Sequence, residues 1–167
     1  NSKSKIIEIG CGIGGIISYF HDKGLSTKGI DINLNDINFG KNKGLNLHHQ
    51  MVEDLPDNEK YDLVILMRSL EHIHNPRFFL NQIIKKLNKN GLLFVSVPSL
   101  DSLLHSSDPK KVNIFKQLHF AHVYFFSKQS LSNLMASVGF SDVYMNHYIN
   151  SIWQKKNLQL NLVTQKQ

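Results

Sequence analysis

Apolar and polar positions alternate along the chain in blocks that predict a repeating strand-and-helix order. Ile6–Ile9 is a short apolar strand broken only by Glu8, and it runs into the glycine-dense turn Gly10-Cys11-Gly12-Ile13-Gly14-Gly15. Ile13, Ile16, Ile17 and Phe20 then recur at helical spacing, predicting a helix from Gly14 or Gly15 to about Lys23, with Gly24 as its stop. Ser26–Ile30 is a second strand ending at Asp31. Asn33 or Asn35 caps a weakly patterned helix reaching about Lys43, and Leu45–Gln50 forms a third strand. Leu55-Pro56-Asp57 marks a loop. Tyr61–Met67 is a continuous apolar run, the mark of a strand covered on both faces of a parallel sheet.

A loop, Arg68–Asn75, precedes Pro76, which opens an amphipathic helix. Its stripe is Phe79, Leu80, Ile83, Ile84 and Leu87, and Asn90-Gly91 ends it before the strand Leu92–Val97. Residues 99–120 are polar and irregular and read as an insert or lid. Ser127 caps a further helix carrying Leu131, Leu134, Met135 and Val138, with Gly139 just past its end. Two last strands are expected at Phe140–Tyr148 and Leu158–Val163, with Trp153 in or near the loop between them. This order predicts a single α/β domain over residues 1–167, built as a doubly wound sheet. Ligands of such sheets lie at the carboxyl ends of the strands, beside strand one.

The length, 167 residues, suits one domain, and no apolar run approaches the ~20 residues of a membrane span. The net charge of +6 comes from seventeen lysines and two arginines, and only three lysine pairs are adjacent. A nucleic-acid binder would cluster arginine and aromatic residues, so no nucleic-acid partner is expected. The single cysteine excludes an internal disulfide. The polar start is not a signal peptide, and a cytoplasmic location is expected.

The glycine turn satisfies two patterns. Gly10-x-Gly12-x-x-Gly15, with Asp31 downstream, fits a dinucleotide-binding turn and hence an NAD(P) oxidoreductase. Glu8-x-Gly10-x-Gly12 suits a cofactor with a positive end. A carboxylate at Glu8 repels a diphosphate but pairs with the ammonium of S-adenosylmethionine. The loop amides are then expected on nearby polar groups, and Asp31 on both ribose hydroxyls.

The ordered set IIEIGCGIG, GID (Gly29–Asp31), VEDLP (Val52–Pro56), YDLVILMRSLEHIHNP (Tyr61–Pro76), GLLFVSVPS (Gly91–Ser99) and HVYFFSKQSLSNLMASVGF (His122–Phe140) resembles the class I S-adenosylmethionine-dependent methyltransferases. The resemblance covers nearly the whole chain. It implies a Rossmann-like, seven-stranded, mostly parallel sheet with an antiparallel C-terminal strand. The motif L-E-H-x-x-x-P resembles a subgroup that often methylates small molecules or saccharides, here most simply at oxygen.

Carried over by position, the resemblance puts Glu8, Gly10, Cys11, Gly12 and Gly14 at the methionine end of the cofactor. Asp31 takes the ribose and Ile32 the adenine face; Met51, Val52 and Glu53 lie by the adenine, and Leu66 and Met67 under the sulfonium. The Cys11 thiol itself is a packing group. There are two departures: Met51 stands where relatives often carry an acid, and the N-terminal covering helices are missing. Nor does Met67-Arg68-Ser69-Leu70 match the loop of exocyclic-amine methylases. If the acceptor must lose a proton, His72 just beyond strand four is the candidate base, with His119 and His122 as further candidates. No carboxylate stands at matching spacing to these histidines, so no metal is expected. A non-catalytic interaction module on the same fold is the remaining alternative.

Overall fold

A computed structural model describes residues 4–104 and 121–156. The elements are β1 (Lys5–Ile9), α1 (Gly15–Asp22), β2 (Ser26–Asp31), α2 (Leu34–Lys41), β3 (Leu47–His49), β4 (Tyr61–Met67), α3 (Pro76–Lys86), β5 (Leu87–Ser96), α4 (Leu100–Leu104), α5 (Lys128–Ser137), β6 (Phe140–Met145) and β7 (Asn150–Lys155). Short 3-10 turns at Val52–Asp54 and Leu70–His72 follow β3 and β4.

The seven strands form one sheet in the order β3-β2-β1-β4-β5-β7-β6. β1 lies parallel between β2 and β4, β4 is parallel to β5, and β7 runs antiparallel to both β5 and β6. The strand order reverses between β1 and β4, which opens a crevice at their carboxyl ends.

Strand alternation sends Ile7 and Ile9 into the larger core, with Phe79, Leu80 and Ile83 of α3 and Leu131 and Met135 of α5. A smaller cluster, Cys11, Ile17, Ile37 and Leu47, packs α1 and α2 against the other face. Gly29 on β2 is required there: a Cβ would come within 2.8 Å of the Cys11 sulfur and 2.5 Å of a Leu47 methyl. Thus the GID triplet is a packing signal as well as a ligand signal.

β3 is Leu47–His49 rather than Leu45–Gln50, β6 stops at Met145 rather than Tyr148, and two further differences have a visible cause. α3 stops at Lys86, and Leu87 already pairs with Tyr61 in β5 rather than extending the helical stripe. The Lys86 ammonium is buried and donates to the carbonyls of Leu55 and Pro56, at 2.7 and 3.1 Å. This pins the helix end to the loop before β4. The last strand among the described residues is Asn150–Lys155, so Trp153 lies within a strand, paired with Leu93 and Asp142. Its polar neighbours masked it: Ser151 is buried and bonds both the Val95 carbonyl and the Trp153 indole N–H. The expected strand Leu158–Val163 lies outside the described residues. So does most of the expected insert, although its start forms α4. There the Leu100 amide donates to Phe126 O, and Asp101 accepts the Lys128 amide at 2.9 Å. No helix among the described residues is long and apolar enough to cross a membrane.

Candidate functional site

A cavity of about 540 Å³ opens at the strand-order reversal. Its walls come from the ends of β1 (Ile9, Gly10) and β2 (Ile30, Asp31, Ile32), the segment after β3 (Gln50–Glu53), and the turn after β4 (Arg68, Ser69, His72, Ile73). Asn75, Phe78 and Phe79 at the start of α3 complete it. The volume suits a cofactor or drug-sized ligand.

Gly10 sits at φ +77°, in the left-handed region, and a Cβ there would collide with the Ser69 hydroxyl. Ser69 itself donates to the Ile9 carbonyl at 3.1 Å. The glycine therefore lets β1 and the turn after β4 meet under the cavity. Four of the loop amides, however, are engaged within the protein. Gly10 and Cys11 donate to Ile30 O at 2.8 and 3.1 Å, and Gly14 donates to Cys11 O at 2.9 Å. Gly12 donates to the Asp31 carboxylate at 2.8 Å. For these four amides the expectation that they bind a ligand is corrected: the loop consumes them in folding.

Asp31 lines the cavity, and its other oxygen accepts the Asn33 amide at 2.8 Å. Each carboxylate oxygen carries two lone pairs, so both keep acceptor capacity. Asn33 caps α2, its side-chain oxygen accepting from the Asn35 and Asp36 amides.

Glu8 is 3% exposed and lies one residue behind the cavity wall, outside its lining. Its Oε2 is buried with no hydrogen-bond partner. Burial pushes its pKa from 4.5 to about 8, against the Ile17 amide, which pulls down, and with Asp31, whose charge adds to the rise. An orphaned acid of this kind fits an incoming cation. Cys11 is buried, its thiol pushed up to about 12 by burial and by the charges of Glu8, Asp31 and Asp36. It is a packing residue, not a nucleophile.

Ile32, Met51, Val52 and Glu53 line the cavity as expected, Ile32 and Met51 well exposed. Leu66 and Met67 do not. The alternation of β4 sends Leu66 into the core beside Val64, and Arg68 and Ser69 take the floor. Arg68 adopts φ +54°, unusual for a side chain of its size. Gly12 and Gly14 shape the loop from outside the lining.

His72 lines the cavity, whereas His122 lies behind it, 5.0 Å ring to ring. His119 lies outside the described residues. The turn Leu70–His72 and the segment before α5 are zipped together. Glu71 O accepts the Val123 and Tyr124 amides at 2.9 and 3.2 Å, and His72 Nδ1 meets Ala121 O at 2.9 Å. Tyr124 also donates to His74 O at 3.1 Å. Sequence spacing offered these histidines no carboxylate, but the zipper supplies one. Glu71, His72 and His122 hold their ligand atoms within 4.8 Å of one another.

Comparison with known proteins agrees with this geometry. A family described as a methyltransferase domain matches residues 1–145. The chain belongs to this methyltransferase domain family. The ubiquinone biosynthesis O-methyltransferase of Rickettsia canadensis is 28% identical over 101 residues, which cover 57% of this chain and 43% of that protein. The methyltransferase domain described here thus spans less than half the length of that curated relative. Among solved structures, a plantazolicin methyltransferase, BpumL, in complex with SAH superposes with a TM-score of 0.73 at 15% identity, over 94% of this chain and 77% of that one. A SAM-dependent methyltransferase from Archaeoglobus fulgidus gives 0.71 at 18%, over 92% and 86%. These two establish the fold of the methyltransferase domain: a seven-stranded mixed sheet with one reversed strand near its C-terminal edge.

Proposed function

We propose that this domain binds S-adenosylmethionine in the cavity and directs its methyl group to the oxygen of a small molecule. The observation that carries the reading is the buried Glu8 carboxyl, its Oε2 without a partner, behind a glycine loop in which the Gly10, Cys11, Gly12 and Gly14 amides are already spent. A diphosphate needs free amides and no buried acid, so a dinucleotide is poorly served here. An ammonium finds in Glu8 its missing partner. Family membership, the name of the Rickettsia relative and the SAH bound in BpumL support the same choice.

When bound, S-adenosylmethionine supplies an electrophilic methyl on a sulfonium, and the protein's part is alignment. Asp31 holds the ribose through its remaining lone pairs, with Ile32 and Val52 against the adenine. Met51, exposed and without an acid, leaves the adenine amino group to Glu53 or to solvent. Glu8, Gly10, Gly12 and Gly14 fix the methionine end, the glycines by shaping the loop.

The far end of the cavity, walled by His72, Ile73, Phe78 and Phe79, receives the acceptor. Its apolar, aromatic character favours a largely apolar molecule over a saccharide. His72 stands there as the base for a hydroxyl. Its Nδ1 is engaged by the Ala121 carbonyl, which leaves Nε2 as the proton acceptor.

Calorimetry with S-adenosylmethionine, S-adenosylhomocysteine and NAD tests the cofactor. Binding of the first two and not the third is expected, and binding of NAD alone would overturn the reading. Asp31→Ala should weaken binding by about 1–3 kcal/mol, the cost of buried hydrogen bonds lost at the ribose; an unchanged affinity would place the ribose elsewhere. For the acceptor, methyl transfer to phenolic compounds, simple sugars and copurifying small molecules is compared. His72→Ala should then lower turnover while cofactor affinity holds.

A further inference from the structure

We propose that Glu71, His72 and His122 form a binding site for one divalent transition-metal ion, of the zinc or cobalt class. The inference does not depend on the methyltransferase reading. Three observations carry it. First, the three ligand atoms lie within 4.8 Å of one another. A tetrahedral ion with bonds near 2 Å needs donors about 3.4 Å apart, so closing the set takes side-chain adjustments of about an ångström.

Second, Glu71 is 1% exposed and its Oε2 has no hydrogen-bond partner. A buried acceptor in that condition is costly unless a cation or donor meets it. Burial raises its pKa, while His72, His122 and Arg68 oppose the rise. Third, one ring nitrogen of His72 is already engaged. Its Nδ1 is held by the Ala121 carbonyl at 2.9 Å, which leaves the Nε2 lone pair directed elsewhere. A second partner of this kind is the usual companion of a metal-bound imidazole.

The backbone supports the cluster. Glu71 O accepts two amides from Val123 and Tyr124, so the segment carrying His122 is fixed against the turn carrying Glu71 and His72. Two imidazoles and one carboxylate suit zinc, cobalt, nickel or iron better than magnesium, which prefers oxygen donors and water. Three protein donors leave a tetrahedral ion one further position. This ligand role and the base role of His72 exclude one another: saturable ion binding through Nε2 assigns His72 to the metal and withdraws it as the base.

The test is titration of Co2+ into tag-free, chelator-treated full chain, read by visible absorption, with Zn2+ competition. One saturable ion per chain, displaced by Zn2+, is expected. His122→Ala and Glu71→Gln should each weaken it by at least about tenfold. S-adenosylhomocysteine binding, measured on the same samples, should survive both substitutions and so report an intact fold. If either variant loses that binding, Zn2+ protection of the wild-type histidines from chemical modification replaces it as the readout. Absence of saturable Co2+ binding, an affinity no better than that for Mg2+, or unchanged affinity in both variants would overturn the site.

Discussion

Glu8 is an acid within a buried, otherwise apolar stretch of β1. It faces α1 between the β2 and β4 partners Gly29 and Ile65, 3% exposed, with its Oε2 unpaired. With no ligand bound the carboxyl holds its proton up to about pH 8, against 4.5 in an unfolded chain. The folded state therefore binds more protons than the unfolded state between those values, and stability falls as pH rises across that window. An ammonium beside Glu8 would reverse the shift, so cofactor binding near neutrality should release a proton. Calorimetry in buffers of differing ionisation enthalpy should show that release for wild type and lose it in Glu8→Gln. Equal proton release in both would assign the titration to another group. Melting temperatures should agree, declining less across the same window in Glu8→Gln.

At this scale the sequence was informative wherever a residue type was out of place. Glu8 in an apolar strand and Asp31 at a strand end were both legible that way. Glu71 was not. Its chemistry depends on His122, some fifty residues on, and only the backbone zipper between the two segments brings them together.

Elements whose ends carry their own signals were read closely, and elements ended by tertiary contacts were not. α5 is bounded by Ser127, whose hydroxyl accepts the Ser130 amide at 3.1 Å, and by Gly139 at φ +94°. Ser130 returns the contact, its hydroxyl accepting the Ser127 amide at 2.9 Å. Both limits are local, and both were visible in the sequence. Ser127→Ala removes this reciprocal cap and should cost about 1 kcal/mol, within the ~0.5–2 range for such caps. Urea unfolding would show it as a lower midpoint with an unchanged slope. A change in slope instead would mean that the segment leading into α5 had come loose.

α3 shows the opposite case. Nothing in Lys85-Lys86-Leu87 announces a stop. The helix ends there because Lys86 caps the carbonyls of Leu55 and Pro56, and because Leu87 finds Tyr61 to pair with. Those partners are about thirty residues away, beyond the reach of any local pattern.

Across the whole molecule, the parallel strands β1 and β4 were legible because each is an apolar run with its turn signals close by. The reversed strand was not, since β7 alternates a buried serine with a buried tryptophan and so carries a weak apolar pattern. Yet it joins the two halves of the sheet edge, pairing with β5 on one side and β6 on the other. Trp153 is central to that junction. It is 2% exposed within the main core, and its indole N–H donates at 2.8 Å to Ser151, which in turn donates to Val95 O.

Trp153 is also the only tryptophan of the chain. Its fluorescence therefore reports on the seam between β5, β7 and β6, while far-UV circular dichroism reports on all elements. One core runs from β1 to β7 without a break, so the two signals should change at the same denaturant concentration, as for a single cooperative unit. An earlier fluorescence transition would mean that β6 and β7 unfold separately from the parallel strands. Trp153→Ala should lower stability by about 3–5 kcal/mol, the usual cost of deleting a large buried aromatic. Trp153→Phe, which keeps most of the volume and loses only the bond to Ser151, should cost clearly less. Equal losses in the two variants would mean that the hydrogen bond, rather than the filled volume, holds the reversed strand in the sheet.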